Sequence, residues 1–153
     1  MSKIVSKDQL FSMVGQELGV SEWVVIDQTM INTFADVTND HQFIHTSRAK
    51  AIEAGFEDTI AHGMLTLSMI IGLSNSFRPS IEGVSMVINY GFDKIRFTNQ
   101  VKVNSKIRAR AILSEARERG GNILVKAKVK IEIDGESKPA VAAEWLTMHV
   151  IPS

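Results

Sequence analysis

A chain of 153 residues carrying 17 Lys and Arg against 17 Asp and Glu has no formal net charge, and 44% of its residues are hydrophobic. Such a length buries roughly 68–70% of the unfolded surface in one core, and the charge balance excludes the basic surplus by which a general nucleic-acid or acidic-membrane binder holds its partner. Without cysteine there is no disulfide framework, thiolate nucleophile or Cys-based metal site.

The N-terminal stretch MSKIVSKDQLF is charged, unlike a signal peptide. The most apolar run, Met64 to Leu73, falls far short of the ~20 residues that span a bilayer. One soluble, cytoplasmic domain over residues 1–153 is expected. Ser6 and Gln9 have the spacing of a capping box, and Leu10, Val14 and Leu18 follow at helical intervals to Gly19, which reads as the glycine closing that helix. Glu22 to Asp27 reads as a short strand. Asp27 then caps a second helix with Ile31, Phe34 and Ala35 on its apolar face. Ser47 opens a short helix closing at Gly55, and Gly63 to about Phe77 is apolar almost all round, the pattern of a helix buried on every side.

After Pro79 the period becomes two. Val84, Met86, Ile88, Tyr90 and Phe92 share a strand face, and the phase slips before Ile95 and Phe97, which predicts a bulge near Gly91 to Lys94. Ile107 to Leu113 and Ile123 to Ile133 alternate apolar with polar residues around a Gly120-Gly121 turn, and Asp134-Gly135 leads to a last strand, Ala140 to Ile151. Four consecutive strands predict an antiparallel meander with one wet face, on which Lys126, Lys128 and Lys130 stand. With the apolar helix this is an α+β fold, its curved sheet wrapped around a long central helix and its open edge suited to pairing with a second copy.

The chemistry-bearing segment runs from Phe34 to Ser68. It holds His41, His45 and His62 and, among its acids, Asp36, Asp40, Glu53 and Asp58. Asp40 and His45 flank the apolar anchors Phe43 and Ile44 between two helices. A carboxylate beside an imidazole fixes its tautomer and moves protons near neutral pH. Equally, an acid and a His five residues apart serve as caps or loop anchors. Gly63 opens the long helix, where unsatisfied N–H groups and the dipole favour a developing oxyanion. His62 before it suits a cap or a packed ring, and Ser68 suits a bond to the carbonyl four residues back. His41 and His45 are four apart, but without the Glu of a zincin motif or any Cys the expectation is no metal.

Asp40-x-x-x-x-His45 followed by Ala61-His62-Gly63-Met64-Leu65-x-x-Ser68 resembles the hydratase motif of MaoC-like dehydratases, the (R)-specific enoyl-CoA hydratase group of hot-dog folds. The ordered stretches ELGVSEW, INTFADVTNDHQFIH, AHGMLTLS and NYGFDKIRF are similar to the nodulation-protein-N-like branch, and together they cover the chain from about Gln9 to Ile151. Asn39, Gln42 and Phe43 depart from the family's usual Gly, Asn and Pro; the last two departures are shared by that branch, and Asn tolerates φ > 0. Gln100 and Asn104 likewise replace a usual Pro and Gly.

The resemblance implies a hot-dog fold and a homodimer. It implies a hydro-lyase of fatty acid metabolism that reversibly adds water to a trans-2-enoyl thioester to give an (R)-3-hydroxyacyl product. Asp40 and His45 would be its catalytic pair and the Gly63 N–H its oxyanion donor, with Ser68 and His62 completing the substrate-binding set. It implies no metal or redox cofactor, the substrate being carried on coenzyme A or an acyl carrier protein. Two other functions fit the same fold: a hot-dog thioesterase and a non-catalytic thioester-binding protein.

Overall fold

A computed structural model describes residues 3–153. Strand β1 (Ile4–Val5) leads into α1 (Lys7–Ser12), whose start is the expected capping box: the Ser6 hydroxyl accepts from the Gln9 amide and the Gln9 side chain accepts from the Ser6 N–H. The helix ends at Ser12, seven residues before the expected Gly19, and Leu18 lies instead in β2 (Glu17–Val20). Pairing of β2 with a strand over 90 residues away overrides the local helical spacing. Gly19 itself is required by contact, because a Cβ there would lie 2.5 Å from the Phe77 Cβ. Only Val24–Val25 of the next expected strand is extended (β3).

Asp27 Oδ1 accepts from the Met30 N–H at 2.9 Å and starts α2 (Gln28–Thr38), which buries Ile31 and Ala35. Two short helices follow, α3 (Phe43–Thr46) and α4 (Arg48–Glu53), the latter capped by Ser47 as predicted. The long helix α5 (Gly63–Ser74) then crosses the interior, and β4 (Ser80–Ile81) pairs in parallel with β1.

The remaining strands, β5 (Met86–Phe97), β6 (Lys106–Arg119), β7 (Asn122–Ile133) and β8 (Val141–Val150), form one antiparallel sheet with β2 and β3. Its order is β2-β6-β7-β8-β5, with β3 also on β6. The expectation of a four-strand meander therefore holds only for β6–β8; β5 sits at the far edge beside β8. The predicted bulge is present, as two register shifts within β5, at Asn89/Gly91 and at Phe92/Lys94. Gly120 and Gly121, at φ 56° and 81°, make the β6–β7 turn in a conformation that matches the twist of a hairpin and that side chains resist.

Alternating residues of the sheet face α5. Ile107, Ala109 and Ala111 of β6, Ala127, Val129 and Ile131 of β7, and Val141, Ala143 and Trp145 of β8 are buried with Leu65, Leu67, Ile70 and Leu73 of the helix. The alanines leave room for the helix inside the curve of the sheet. On the outer face Glu132 bridges Arg108 and Arg110 at 2.6 and 2.7 Å, and Lys126 pairs with Asp93 and Glu115. The expected burial of α5 on every side is corrected: the sheet covers one side of it, and Met64 and Ile71 remain 56% and 44% exposed.

Candidate active site

Helix α2 ends because Asn39 adopts the left-handed conformation (φ 56°), a geometry Asn accepts better than most residues. The Asp40 N–H then donates back to the Ala35 carbonyl at 3.1 Å, which fixes the main chain of the acid. Five residues later His45, on α3, is 7% exposed. Its Nδ1 lies 2.7 Å from the Ile60 carbonyl oxygen, which only accepts, so Nδ1 carries the proton and Nε2 is left as the free base. Burial, reinforced by the neighbouring His62, holds His45 below the ordinary histidine value of 6.5 against the opposing pull of the Ile60 bond and Asp40. Gln28 supports it from below, donating to the His45 carbonyl at 2.8 Å and accepting from the Thr59 hydroxyl at 2.6 Å.

Gly63 is the first residue of α5, so its N–H has no helical acceptor and sits at the positive end of the dipole. It lines a cavity of about 420 Å³ together with His45, Thr66, Phe97, Gln100 and Val141. The Phe97 ring lies against Gly63: a Cβ there would be 2.9 Å from Phe97 Cδ1, so only glycine leaves the ring where it is.

The predicted residues do not all converge. Asp40, His45 and His62 do, each offering a ligating atom within 4.8 Å of the others. His62 is 2% exposed, is not among the residues lining the cavity, and stacks on His45 with ring centroids 3.8 Å apart and planes at 25°. It gives Nε2–H to the Asp40 carbonyl at 3.0 Å. Ser68 is exposed, and its hydroxyl donates to the Met64 carbonyl at 2.7 Å, the local bond its position suggested. It does not line the cavity; Thr66, one turn from Gly63, does. His41 turns away to an exposed pair with Asp36 at 2.8 Å.

The two stacked imidazoles each have one nitrogen bonded to a main-chain carbonyl and the other left without a hydrogen on it. Thr66, Phe97, Gln28 and the Ile60 carbonyl are not apparent from the sequence; only the small residue required at Gly63 hints at a ring beside it.

A central helix clasped by an antiparallel sheet defines a hot-dog fold, and here an acid and an imidazole cluster lies beside the helix start. The MaoC-like domain matches residues 10–134, and the chain belongs to the MaoC-like dehydratase family. Nodulation protein N of Rhizobium leguminosarum bv. viciae is 48% identical over 139 residues, covering 90% of this chain and 86% of that protein. The 3-hydroxyacyl-thioester dehydratase Z of Mycobacterium tuberculosis (strain H37Rv) is 36% identical over 151 residues, 98% of this chain and 99% of that one. Among solved structures, the (R)-hydratase from A. caviae involved in PHA biosynthesis superposes with a TM-score of 0.73 at 24% identity, covering 91% of this chain and 96% of that one. A monoamine oxidase regulatory protein from Archaeoglobus reaches 0.77 at 22% identity over 92% of both chains. These superpositions carry the hot-dog fold.

Proposed function

We propose that this chain is a hydratase/dehydratase that adds water reversibly to the 2,3 double bond of a trans-2-enoyl thioester, giving an (R)-3-hydroxyacyl thioester. The observation that carries the reading is the tautomer of His45: Nδ1–H is spent on Ile60, leaving Nε2 as an acceptor on a ring that clusters with Asp40 and lines the same cavity as Gly63. Two acceptors side by side suit a water molecule, which offers one O–H to each. Asp40 and His45 orient the water, and one of them removes a proton as its oxygen attacks C3. The electron pair of the double bond shifts toward the carbonyl, the thioester oxygen gains charge and meets the Gly63 N–H, and the pair then delivers a proton to C2. Reversal eliminates water. General acid–base help of this kind contributes roughly 10²–10⁴-fold and one oxyanion donor roughly 10²–10³-fold.

The addition is redox-neutral, so the reading asks for no redox cofactor, and it assigns the acyl carrier to coenzyme A or an acyl carrier protein. Its cellular place is assigned to the cytoplasm; among the described residues no helix is long and apolar enough to cross a membrane. A homodimer accompanies it: among the described residues β5 pairs only with β8, and beside its open edge Met86, Ile88 and Tyr90 are about half exposed, as are Met64 and Ile71 of α5. Such an unpaired apolar edge favours a second strand.

The test is to incubate the protein with crotonyl-CoA while following the conjugated enoyl-thioester absorbance and free thiol in parallel. Loss of the absorbance without thiol is expected. Thiol release would indicate the thioesterase instead, and no change in either signal across short and medium acyl chains would leave a binding protein.

A further inference from the structure

His62 is placed as an N-terminal cap yet caps nothing: its side chain makes no bond to the first turn of α5. Its Nδ1 is buried with no hydrogen-bond partner among the described residues. A desolvated ring nitrogen without a partner is destabilising, and an apolar residue would fill the same space without it. The ring nevertheless has defined neighbours on both flanks, Phe34 at 5.0 Å and 55° on one side and His45 at 3.8 Å on the other. Its second nitrogen reaches across 22 residues to the Asp40 carbonyl.

We infer that His62 is a positioning residue that holds Asp40 and His45 in mutual register, acting through both without touching substrate. The inference rests on the reading of Asp40 and His45 as the acid–base pair. The Asp40 peptide is then tied at both ends, its N–H to Ala35 and its carbonyl to His62. The face of His62 sets the plane in which His45 swings, while Ile60 sets its angle within that plane.

The two imidazoles carry their protons on opposite nitrogens, Nδ1–H on His45 and Nε2–H on His62, because each is read by a carbonyl. The bare Nδ1 of His62 follows from this arrangement. Asp40 is the only acid in the cluster, and its negative charge favours the transient imidazolium of His45.

Two measurements test this. Imidazole ¹⁵N spectra of the intact protein should show the neutral rings of His62 and His45 as the Nε2–H and Nδ1–H tautomers respectively. An Nδ1–H tautomer at His62 would overturn the clamp whether or not the protein is a hydratase. In kinetics, His62→Phe keeps a flat ring but loses the donor, and misplacing a reacting group by an ångström costs roughly 10²-fold. A ten- to hundredfold fall in kcat with KM within twofold is expected, while His62→Gln, which restores an N–H, should recover most of it. In an Asp40→Asn background His62→Phe should add less than a further threefold loss. Full multiplicative losses there, or a rise in KM at unchanged kcat, would overturn the positioning role. If the wild type shows no hydration at all, the proposed reaction fails and the nitrogen spectra alone decide the clamp.

Discussion

Adding one methyl group at Gly63 probes the helix-start amide without removing it. An alanine Cβ would stand 2.9, 3.1 and 3.2 Å from Cδ1, Cε1 and Cγ of Phe97, whereas carbon atoms rest at about 3.5–4.0 Å, so the ring must retreat by roughly 0.6 Å or more. Phe97 is 52% exposed at the rim and has room to move. Because the Phe97 ring is free to swing outward, little of the contact strain is retained, and the melting temperature of Gly63→Ala should stay within a few degrees of wild type.

Activity should not. The methyl group and the displaced ring crowd the approach to an N–H whose full removal is worth roughly 10²–10³-fold, and a partial displacement predicts a loss of about 10- to 10²-fold in kcat. Trimming the ring as well, in Gly63→Ala/Phe97→Ala, should restore part of the loss. The assay is the initial rate of crotonyl-CoA hydration with thermal melts alongside. A folded Gly63→Ala enzyme within threefold of wild type would refute the role given to this amide.

Other consequences follow from the same geometry. Because burial holds His45 below 6.5 and its neutral form is the base, kcat/KM should persist at pH 6.5 and fall on an acid limb centred below that value; a midpoint above 6.5 would contradict the assignment. His149 of β8 is buried beside Thr147, and burial, with Arg78 adding to it, lowers its pKa to about 4. The unfolded chain therefore binds a proton before the folded one does, so stability should decline as pH falls from 6.5 to 4, by about 3 kcal/mol, and His149→Gln should lessen that decline in urea titrations. Sedimentation should give a dimer for the wild type, and Ile88→Lys on the open edge of β5 should shift it to the monomer; a wild-type monomer would count against edge pairing.

Local chemistry was readable where one short segment decides the outcome. The Ser6/Gln9 box, the Asp27 and Ser47 caps, the glycine pair at 120–121 and the β5 bulge all depend on neighbours within a few residues, and all are present. What depended on distant pairing was not readable. Leu18 and Gly19 fit a helix by spacing but are drawn into β2 by β6, and β5 bypasses β6 for β8 because register between strands far apart in the chain leaves no local mark. The site divides in the same way. Asp40, His45 and Gly63 were legible as residue types, whereas the Ile60 carbonyl that selects the His45 tautomer has no side-chain signature. Ser68 stands five residues beyond Gly63, roughly 140° around the helix, and so faces away from the cavity that Thr66 lines.

The central claim, that Asp40 and His45 add water across an enoyl thioester, is tested most directly by comparing wild type with Asp40→Asn on crotonyl-CoA and resolving the product's configuration. The expected result is conversion to (R)-3-hydroxybutyryl-CoA by the wild type, and a rate lower by at least about 10²-fold for Asp40→Asn with its melting temperature preserved. Equal activity in the two proteins, or an (S) product, would contradict it.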